Sequence, residues 1–319
     1  MVSTSNELKQ IKIGIDTGFG HTKYAYFKDE ELVTGKFPSV VAFANDNLKE
    51  ALDGVSVFEG TMYYVGDLAN KQSSHQIEEL ISYKALEKYA PLLIAHVLKQ
   101  EGIGPLEVSE IVCGLSPAHI DSTHAFKQRV SHFEVNGETH TIPARLLPQG
   151  VGAVRAIKYL SDTKKGIKEP NDYLVVDIGF NTVDIIFVYD KVIQRGKISE
   201  ANSFEKRGAI SIAEMMRKHL GATFAREISL KEALPIITHG VYRLRGEEHD
   251  LSKVVAGFKE EYTKEIMAFL ELKYGNEFDK MEKICFVGGG GYFIDPAYAK
   301  HIQVFEQSEY YNAIGNLVF

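Results

Sequence analysis

Two stretches of this sequence, residues 14–23 and 175–184, share one pattern. The first reads Gly-Ile-Asp-Thr-Gly-Phe-Gly-His-Thr-Lys, and the second reads Val-Val-Asp-Ile-Gly-Phe-Asn-Thr-Val-Asp. Apolar residues on both sides of each glycine turn predict a strand, a tight turn and a second strand. Asp16 and Asp177 lie 161 residues apart, about half of the chain. This spacing indicates two similarly folded lobes, each presenting one aspartate-bearing turn to a shared cleft.

The glycines of these turns favour the binding of a polyphosphate. Gly18, Gly20 and Gly179 tolerate positive φ angles, and they let backbone N–H groups approach an anion without a Cβ in the way. The charges of Asp16 and Asp177 conflict with a phosphate unless a divalent cation is added. Mg²⁺ resolves this conflict, because it commonly meets carboxylates through its water ligands.

Lys23, a few residues beyond the first turn, can reach back to the β- or γ-phosphate as a point charge. The alternative for each turn is an ordinary hairpin whose aspartate bonds its own backbone. One turn alone would favour that alternative. Two copies, together with a glycine run later in the chain, favour nucleotide binding.

The glycine run, residues 288–291, follows the short apolar segment 284–287. At the end of a buried strand it offers bare backbone against which a base or ribose can lie. A flexible turn is the alternative, and glycine runs also serve close helix packing. The sequence contains neither a P-loop nor a Rossmann fingerprint, so these two nucleotide-binding classes are excluded.

Gln149 follows an apolar segment, residues 146–148, just before a predicted helix. This position places an uncharged amide at a strand end that faces the expected cleft. Triphosphate hydrolysis needs mainly a positioned water and charge neutralisation, and a glutamine can supply the first. The alternative is that Gln149 caps the next helix.

The length of 319 residues favours two lobes over one continuous core. A polar stretch at residues 163–171 is the best candidate for the boundary between them. We therefore predict a first domain of residues 1–165 plus about 298–319, and a second domain of residues 166–297.

Composition and charge restrict the function classes. A formal net charge of -7 repels phosphodiester backbones, so any link to DNA is expected to pass through a partner. Cys113 and Cys285 lie in apolar runs and are interpreted as buried hydrophobes, with a disulfide or thiolate nucleophile as the minority alternative. The 11 histidines show no metal-binding spacing. Without an export signal at residues 1–7 or a membrane-length apolar run, the sequence predicts a cytoplasmic protein.

Helical periodicity is clearest in two places. Residues 77–100 predict two helices, because Pro91 suits a helix's first turn. Residues 252–274 predict the longest helix, which Gly275 ends.

The motifs resemble those of the actin-like ATPases, in order along nearly the whole chain. Residues 16–23 resemble the first phosphate loop, residues 177–184 the second, and residues 288–290 the adenosine segment; Gln149 falls at the position of the water-orienting residue. The resemblance implies an α/β fold of the actin/ribonuclease H type, duplicated into two lobes, with ATP or ADP in the interlobe cleft.

The resemblance also implies roles for individual residues. Asp16, Gln149 and Asp177 would act in hydrolysis, and Asp16 and Asp177 would meet Mg²⁺ through water. The nucleotide-binding residues that it implies are Asp16, Thr17, Gly18, Phe19, Gly20, Lys23, Asp177, Gly179, Phe180, Asn181, Thr182, Gly208, Gly288, Gly289 and Gly290.

Within this family, the short length and the segments 37–41, 64–69, 114–117 and 311–315 resemble the plasmid-partition actins (ParM, also called StbA) and archaeal actin-like proteins. This likeness implies ATP-dependent homopolymer filaments that segregate DNA. It also implies a DNA-binding adaptor protein, with no direct contact to nucleic acid or membrane.

The chain departs from the family pattern at both loops. Phe19 stands where actins carry a serine, so a hydroxyl contact to the γ-phosphate would have to come from Thr17 or Thr22. Phe180 and Asn181 make the second loop bulkier than usual.

Sugar and acetate kinases share the fold and both phosphate loops, so a small-molecule phosphotransferase is the alternative function. Such an enzyme needs a carboxylate base near the acceptor hydroxyl. Asp184 and Asp67 are the candidates that the sequence leaves open.

Overall fold

The computed structural model describes residues 10–44 and 54–319, which form two compact units. The first unit contains the described residues up to Tyr159 together with Asn312–Phe319, and the second contains Leu160–Tyr311. Residues 1–7, for which we expect no export signal, lie outside the described part of the chain. In residues 10–44 and 54–319, no helix is both long enough and apolar enough to cross a membrane.

The regular elements follow the chain in this order. The first half contains the strands β1 (Ile11–Thr17), β2 (His21–Lys28), β3 (Glu31–Pro38), β4 (Val40–Phe43), β5 (Ser56–Phe58), β6 (Thr61–Val65), β7 (Ile77–Glu79), β8 (Val108–Leu115), β9 (His132–Val135), β10 (Glu138–Thr141) and β11 (Ala144–Pro148), with the helices α1 (Asp67–Asn70), α2 (Tyr83–Glu101), α3 (Thr123–Ser131) and α4 (Val151–Thr163). The second half contains β12 (Tyr173–Ile178), β13 (Thr182–Tyr189), β14 (Val192–Ile193), β15 (Ser203–Glu205), β16 (Val241–Leu244), β17 (Glu247–Asp250), β18 (Lys283–Val287) and β19 (Ile302–Val304), with α5 (Ile210–Phe224), α6 (Leu230–His239), α7 (Ser252–Phe278) and α8 (Tyr311–Leu317).

The main sheets of the two units share one topology. In the first unit the order is β11-β8-β1-β2-β3, with β1 parallel to β8 and antiparallel to β2. In the second unit β19-β18-β12-β13-β14 has the same order, with β12 parallel to β18 and antiparallel to β13. The expected duplication of an α/β fold is therefore confirmed.

Each unit adds smaller strands to this repeat. A second sheet in the first unit has the order β10-β9-β5-β6-β4-β7. The second unit adds β15 beside β13 and the two-stranded hairpin β16-β17. The shared strand order is thus found in the main sheets, at whose centres the two aspartate-bearing hairpins lie.

Helix α2 corrects the expectation of two helices over residues 77–100. One helix runs through Pro91, and residues 77–79 form β7 instead. Ser82 caps its start by accepting a hydrogen bond from the Ala85 N–H, and Gly102 ends it with φ 65°. Pro91 removes one backbone hydrogen bond. Because the neighbouring side chains are fully buried, packing outweighs that loss.

The longest helix, α7, begins at Ser252 as expected and continues to Phe278. Gly275, the expected stop, interrupts the helical conformation with φ 41° and ψ -116°.

The second unit ends later in the chain than the expected boundary at residue 297. Residues 298–311 belong to the second unit, because β19 pairs with β18.

Helix α8 packs against the rest of the first unit by direct contact of backbones. A Cβ built at Gly14 of β1 would lie 2.0 Å from the carbonyl oxygen of Ala313. A Cβ built at Gly315 would lie 1.7 Å from the carbonyl oxygen of Gly152 in α4. Only glycine permits this approach, so three glycines seat α8 against β1 and α4.

We expect Gly315→Ala to lower the Tm of the protein by at least about 4 °C, because the methyl group meets backbone that cannot move aside cheaply. Gly257→Ala in α7 is the matched control, since nothing lies within 4 Å of its Cβ position. It should leave the Tm unchanged or raise it slightly. Thermal unfolding followed by circular dichroism measures both, and equal Tm values for the two variants would contradict this packing.

Candidate functional site

The first aspartate turn holds a buried carboxylate between two partners. Asp16 is only 3% exposed, at the end of β1. The register of the hairpin places it opposite Lys23, whose Nζ donates to Asp16 Oδ2 at 3.1 Å. Gln149 Nε2 donates to Asp16 Oδ1 at 2.9 Å. The structure thus brings together three residues that the sequence analysis selected separately.

The glycine of this turn makes room for the lysine. Gly18 N–H bonds the carbonyl oxygen of His21 at 3.2 Å and closes the turn. A Cβ built at Gly18 would lie 3.0 Å from Lys23 Nζ, so a larger residue would crowd the ammonium group. Phe19 is buried, and the Gly20 carbonyl accepts from Ser39 N–H. The turn therefore presents a cation beside a short stretch of backbone.

Gln149 lies directly after β11, beside the end of β8. Its backbone N–H bonds the carbonyl oxygen of Leu115 at 2.8 Å. A Cβ built at Gly114 would lie 3.1 Å from its Cγ, so the side chain crosses β8 where that strand carries no side chain. The amide nitrogen faces Asp16, which disfavours the helix-capping alternative.

The two threonines of the first turn differ in their hydrogen bonding. Thr22 Oγ1 lies 2.9 Å from Ser39 Oγ, and this pair is buried. Thr17 Oγ1 is buried, and among the described residues it has no hydrogen-bond partner. Actins carry a serine at the position of Phe19, and Thr17 and Thr22 are the candidates to replace its hydroxyl. The Thr22 hydroxyl is already hydrogen-bonded to Ser39.

The second aspartate turn repeats the backbone of the first. Gly179 N–H bonds the Thr182 carbonyl at 2.9 Å, as Gly18 bonds His21 in the first unit. Asp177 is 5% exposed, and its partner across the hairpin is Asp184, which is 1% exposed. The Ser203 hydroxyl donates to Asp184 Oδ1. The first hairpin thus pairs an aspartate with a lysine, and the second pairs two aspartates.

From the sequence, Asp184 is a candidate base of the kinase alternative and not a partner of Asp177, although both stretches carry a charged residue seven positions after the aspartate. Residues directly opposite in an antiparallel pair lie on the same face. Two neighbouring buried carboxylates require a cation, a proton or hydrogen-bond donors. This spacing was the signal available in the sequence.

The second turn docks on the start of α5. The carbonyl oxygens of Gly179 and Phe180 accept from the N–H groups of Ala209 and Ile210 at 2.9 and 2.8 Å. A Cβ built at Gly208 would lie 2.6 Å from the Gly179 carbonyl oxygen, so glycine is needed there. The Phe180 side chain packs against the hydrophobic core of the second unit. The larger side chain is therefore accommodated in that core.

Asn181 adds two contacts from the same turn. Its carbonyl oxygen accepts from Gly208 N–H, and its Oδ1 accepts from Lys206 N–H, both at 3.3 Å. These bonds fix the loop before α5 to the turn.

The glycine run lies against the second aspartate strand. Gly288 has φ 80°, and a Cβ there would lie 2.5 Å from Asp177 Oδ1. Gly290 N–H bonds the Ile178 carbonyl at 2.8 Å, and a Cβ there would lie 2.2 Å from Ile178 Cγ2. Close packing thus accounts for Gly288 and Gly290. Gly289 is exposed, with nothing within 4 Å of its Cβ position.

Two family models match consecutive parts of the chain. The N-terminal domain of actin-like proteins matches residues 14–152, and the C-terminal domain of archaeal MreB-like actin homologues matches residues 175–300. The chain belongs to the actin-like superfamily. Each match contains one aspartate turn, so the family resemblance of the motifs is confirmed. No curated protein sequence matches this actin-like chain.

Solved structures share this actin-like fold over nearly their whole length. A ParM filament structure from Clostridium botulinum has a TM-score of 0.72 at 20% identity, covering 98% of this chain and 99% of that one. Ta0583, an archaeal actin homolog solved in complex with ADP, has a TM-score of 0.71 at 20% identity, covering 97% and 98%. Bacillus thuringiensis ParM with ATP has a TM-score of 0.65 at 16% identity, with the same coverage. These likenesses establish the fold.

We expect both cysteines of the folded protein to resist a thiol reagent at pH 8. Burial raises the pKa of the Cys113 thiol to about 12, and the nearby Asp16 carboxylate adds to the increase. Burial also raises the pKa of Cys285. At pH 8 only about 10⁻⁴ of Cys113 would be thiolate, the reactive form. Mass spectrometry after iodoacetamide should find neither residue modified without denaturant and both modified in guanidinium. Rapid labelling of the folded protein would revive the nucleophile alternative.

Proposed function

We propose that this actin-like protein binds ATP with Mg²⁺ through its two aspartate turns, hydrolyses it, and assembles into filaments whose stability depends on the nucleotide. The observation that carries the proposal is the buried carboxylate of Asp16, which accepts hydrogen bonds from the half-buried side chains of Lys23 and Gln149 at the ends of neighbouring strands. Triphosphate hydrolysis needs charge neutralisation and a positioned water, which a lysine and a neutral amide held by one carboxylate can supply.

Lys23 and Gln149 have different roles in the proposed reaction. The Lys23 ammonium, held by Asp16 over a glycine turn, supplies positive charge toward a phosphate oxygen. Gln149 donates its Nε2 to Asp16, so its Oε1 is directed to accept a hydrogen bond from the attacking water. Holding a water in line contributes through orientation rather than through proton removal.

The residues present fit a magnesium ion that is held through water. Among the residues that the structure describes, no group of three His, Cys, Asp or Glu side chains is arranged to hold a metal directly. Asp16 and Asp177 are carboxylates whose oxygens can accept hydrogen bonds from metal-bound waters. When bound with the nucleotide, Mg²⁺ neutralises phosphate charge. Asp184, opposite Asp177 on the neighbouring strand, adds a second buried acidic side chain next to that carboxylate.

Two properties of the structural neighbours support assembly. The Clostridium botulinum ParM was solved as a filament, and a non-polymerisable mutant of pCBH ParM shares this fold with a TM-score of 0.73 at 22% identity. We extend the proposal to a cytoplasmic filament that segregates plasmid or other DNA. Because the net charge is -7, a DNA-binding adaptor would make the contact to nucleic acid.

The kinase alternative gains no support from its two candidate bases. Asp184 is 1% exposed and already accepts a hydrogen bond from Ser203. Asp67 is exposed on the short helix α1. A general base must reach the hydroxyl of a bound acceptor. We therefore keep phosphotransfer only as an outcome that the following test can reveal.

We expect light scattering and sedimentation to increase when Mg-ATP is added, and to increase less or decay with Mg-ADP. Without nucleotide, or after EDTA removes Mg²⁺, the protein should remain in the supernatant. ATP hydrolysis without assembly under any nucleotide would favour the kinase alternative. If calorimetry detects no heat on titration with Mg-ATP, the proposal is wrong.

We expect Gln149→Ala to lower the turnover number for ATP roughly 100-fold while changing the Kd for Mg-ATP by less than about threefold. The reason is that Gln149 would orient water in the transition state rather than grip the nucleotide. Gln100→Ala, an exposed glutamine on α2, is the matched control and should behave as the wild type. Equal losses of turnover and affinity would mean that Gln149 is only structural.

A further inference from the structure

Two buried asparagines on α8 bond the backbone of the residues next to Asp16 and Gln149. Asn312 is 6% exposed and Asn316 is 1% exposed. They are one helical turn apart, so both face the same side of α8. The glycine contacts of Gly14 and Gly152 bring the helix close enough for side chains as short as these to reach the strands.

Asn316 holds the strand that carries the carboxylate. Its Nδ2 donates to the carbonyl oxygen of Ile15 at 3.0 Å, one residue before Asp16, and the bond is buried. A Cβ built at Gly114 would lie 3.6 Å from this Nδ2, 3.1 Å from Gln149 Cγ and 3.9 Å from Asp16 Oδ1. The asparagine amide, the glutamine stem and the carboxylate therefore surround one bare position of β8.

Asn312 holds the segment that carries the glutamine. Its Oδ1 accepts from Gly150 N–H at 3.1 Å in a buried bond. Gly150 has φ 82° and follows Gln149 directly, so this bond fixes the sharp turn between β11 and α4. One asparagine acts as an acceptor and the other as a donor, on the backbone next to each member of the Gln149–Asp16 pair.

We propose that Asn312 and Asn316 are positioning residues for ATP hydrolysis, which hold Gln149 and Asp16 in the relative position that orients the water. This inference rests on the proposed function. A small displacement of a catalytic side chain can cost large factors in rate. The asparagines therefore affect turnover more than nucleotide affinity.

The opposite hydrogen-bonding roles allow a sharp test by the same isosteric change at both positions. Asn312→Asp keeps an oxygen that accepts from Gly150 N–H, whereas Asn316→Asp loses the N–H that donates to Ile15. The same substitution is therefore expected to have opposite effects on the two hydrogen bonds. Asn70→Ala, an exposed asparagine of the same unit, is the control.

The experiment measures four quantities for the wild type, the two alanine variants, the two aspartate variants and the control. They are the turnover number, the Kd for Mg-ATP by calorimetry, the Tm, and the side-chain amide signal of Gln149 in the nucleotide-free protein. Nuclear magnetic resonance reports that signal, which is assigned by its loss in Gln149→Ala.

We expect Asn316→Ala and Asn316→Asp to lower turnover roughly 10- to 100-fold, with the Kd changed by less than about threefold and the Gln149 amide signal shifted. Asn312→Ala should behave similarly, and Asn312→Asp should recover much of the lost turnover. Should Asn316→Ala not fold, the comparison of Asn312→Ala with Asn312→Asp decides.

Folded alanine variants with wild-type turnover and an unshifted Gln149 signal would overturn the inference. So would equal losses of turnover and affinity in Asn312→Ala and Asn312→Asp. If the wild type hydrolyses no ATP, the proposed function fails, and the Gln149 signal alone then decides whether the asparagines position that side chain.

Discussion

A buried carboxylate must be satisfied by its neighbours, and the architecture of the first unit follows from satisfying Asp16. Removing a carboxylate from water is costly unless it is paired and hydrogen-bonded. Lys23 reaches Asp16 from the adjacent strand, and Gln149 reaches it from the end of β11. Because the partners come from separate strands, the carboxylate links the hairpin to the parallel part of the sheet.

Glycines make the second layer of this arrangement possible. Gly14 and Gly152 let α8 approach β1 and α4 until backbone atoms touch, and Gly114 leaves space for the Gln149 side chain. In the second unit Gly208 and Gly288 allow the same closeness around Asp177. Both aspartates therefore lie where chain segments are packed too tightly for a methyl group. Such packing limits the freedom of the side chains that it surrounds.

The local signals of the sequence were sufficient for the repeated hairpins and for much of the candidate site. The Asp-x-Gly-Phe pattern predicted both turns, because glycine requirements and strand alternation are local properties. By local rules Pro91 suits a helix start, whereas its tolerance inside α2 depends on burial by distant residues. The contact of Asn316 with Ile15 joins residues 301 positions apart, and no local pattern reveals it.

The glycine run at residues 288–291 was predictable from the sequence only in part. Its position after a buried strand was predictable, but the reason for its composition was not. Gly288 and Gly290 accommodate the neighbouring strand, and only the register of β12 with β18 places Asp177 and Ile178 against them.

The duplicated hairpins have kept their backbones and diverged in charge. Asp16 faces Lys23 in one, whereas Asp177 faces Asp184 in the other. The first turn therefore carries opposite charges that balance and the second carries two acidic side chains, so the two turns offer different partners to a ligand.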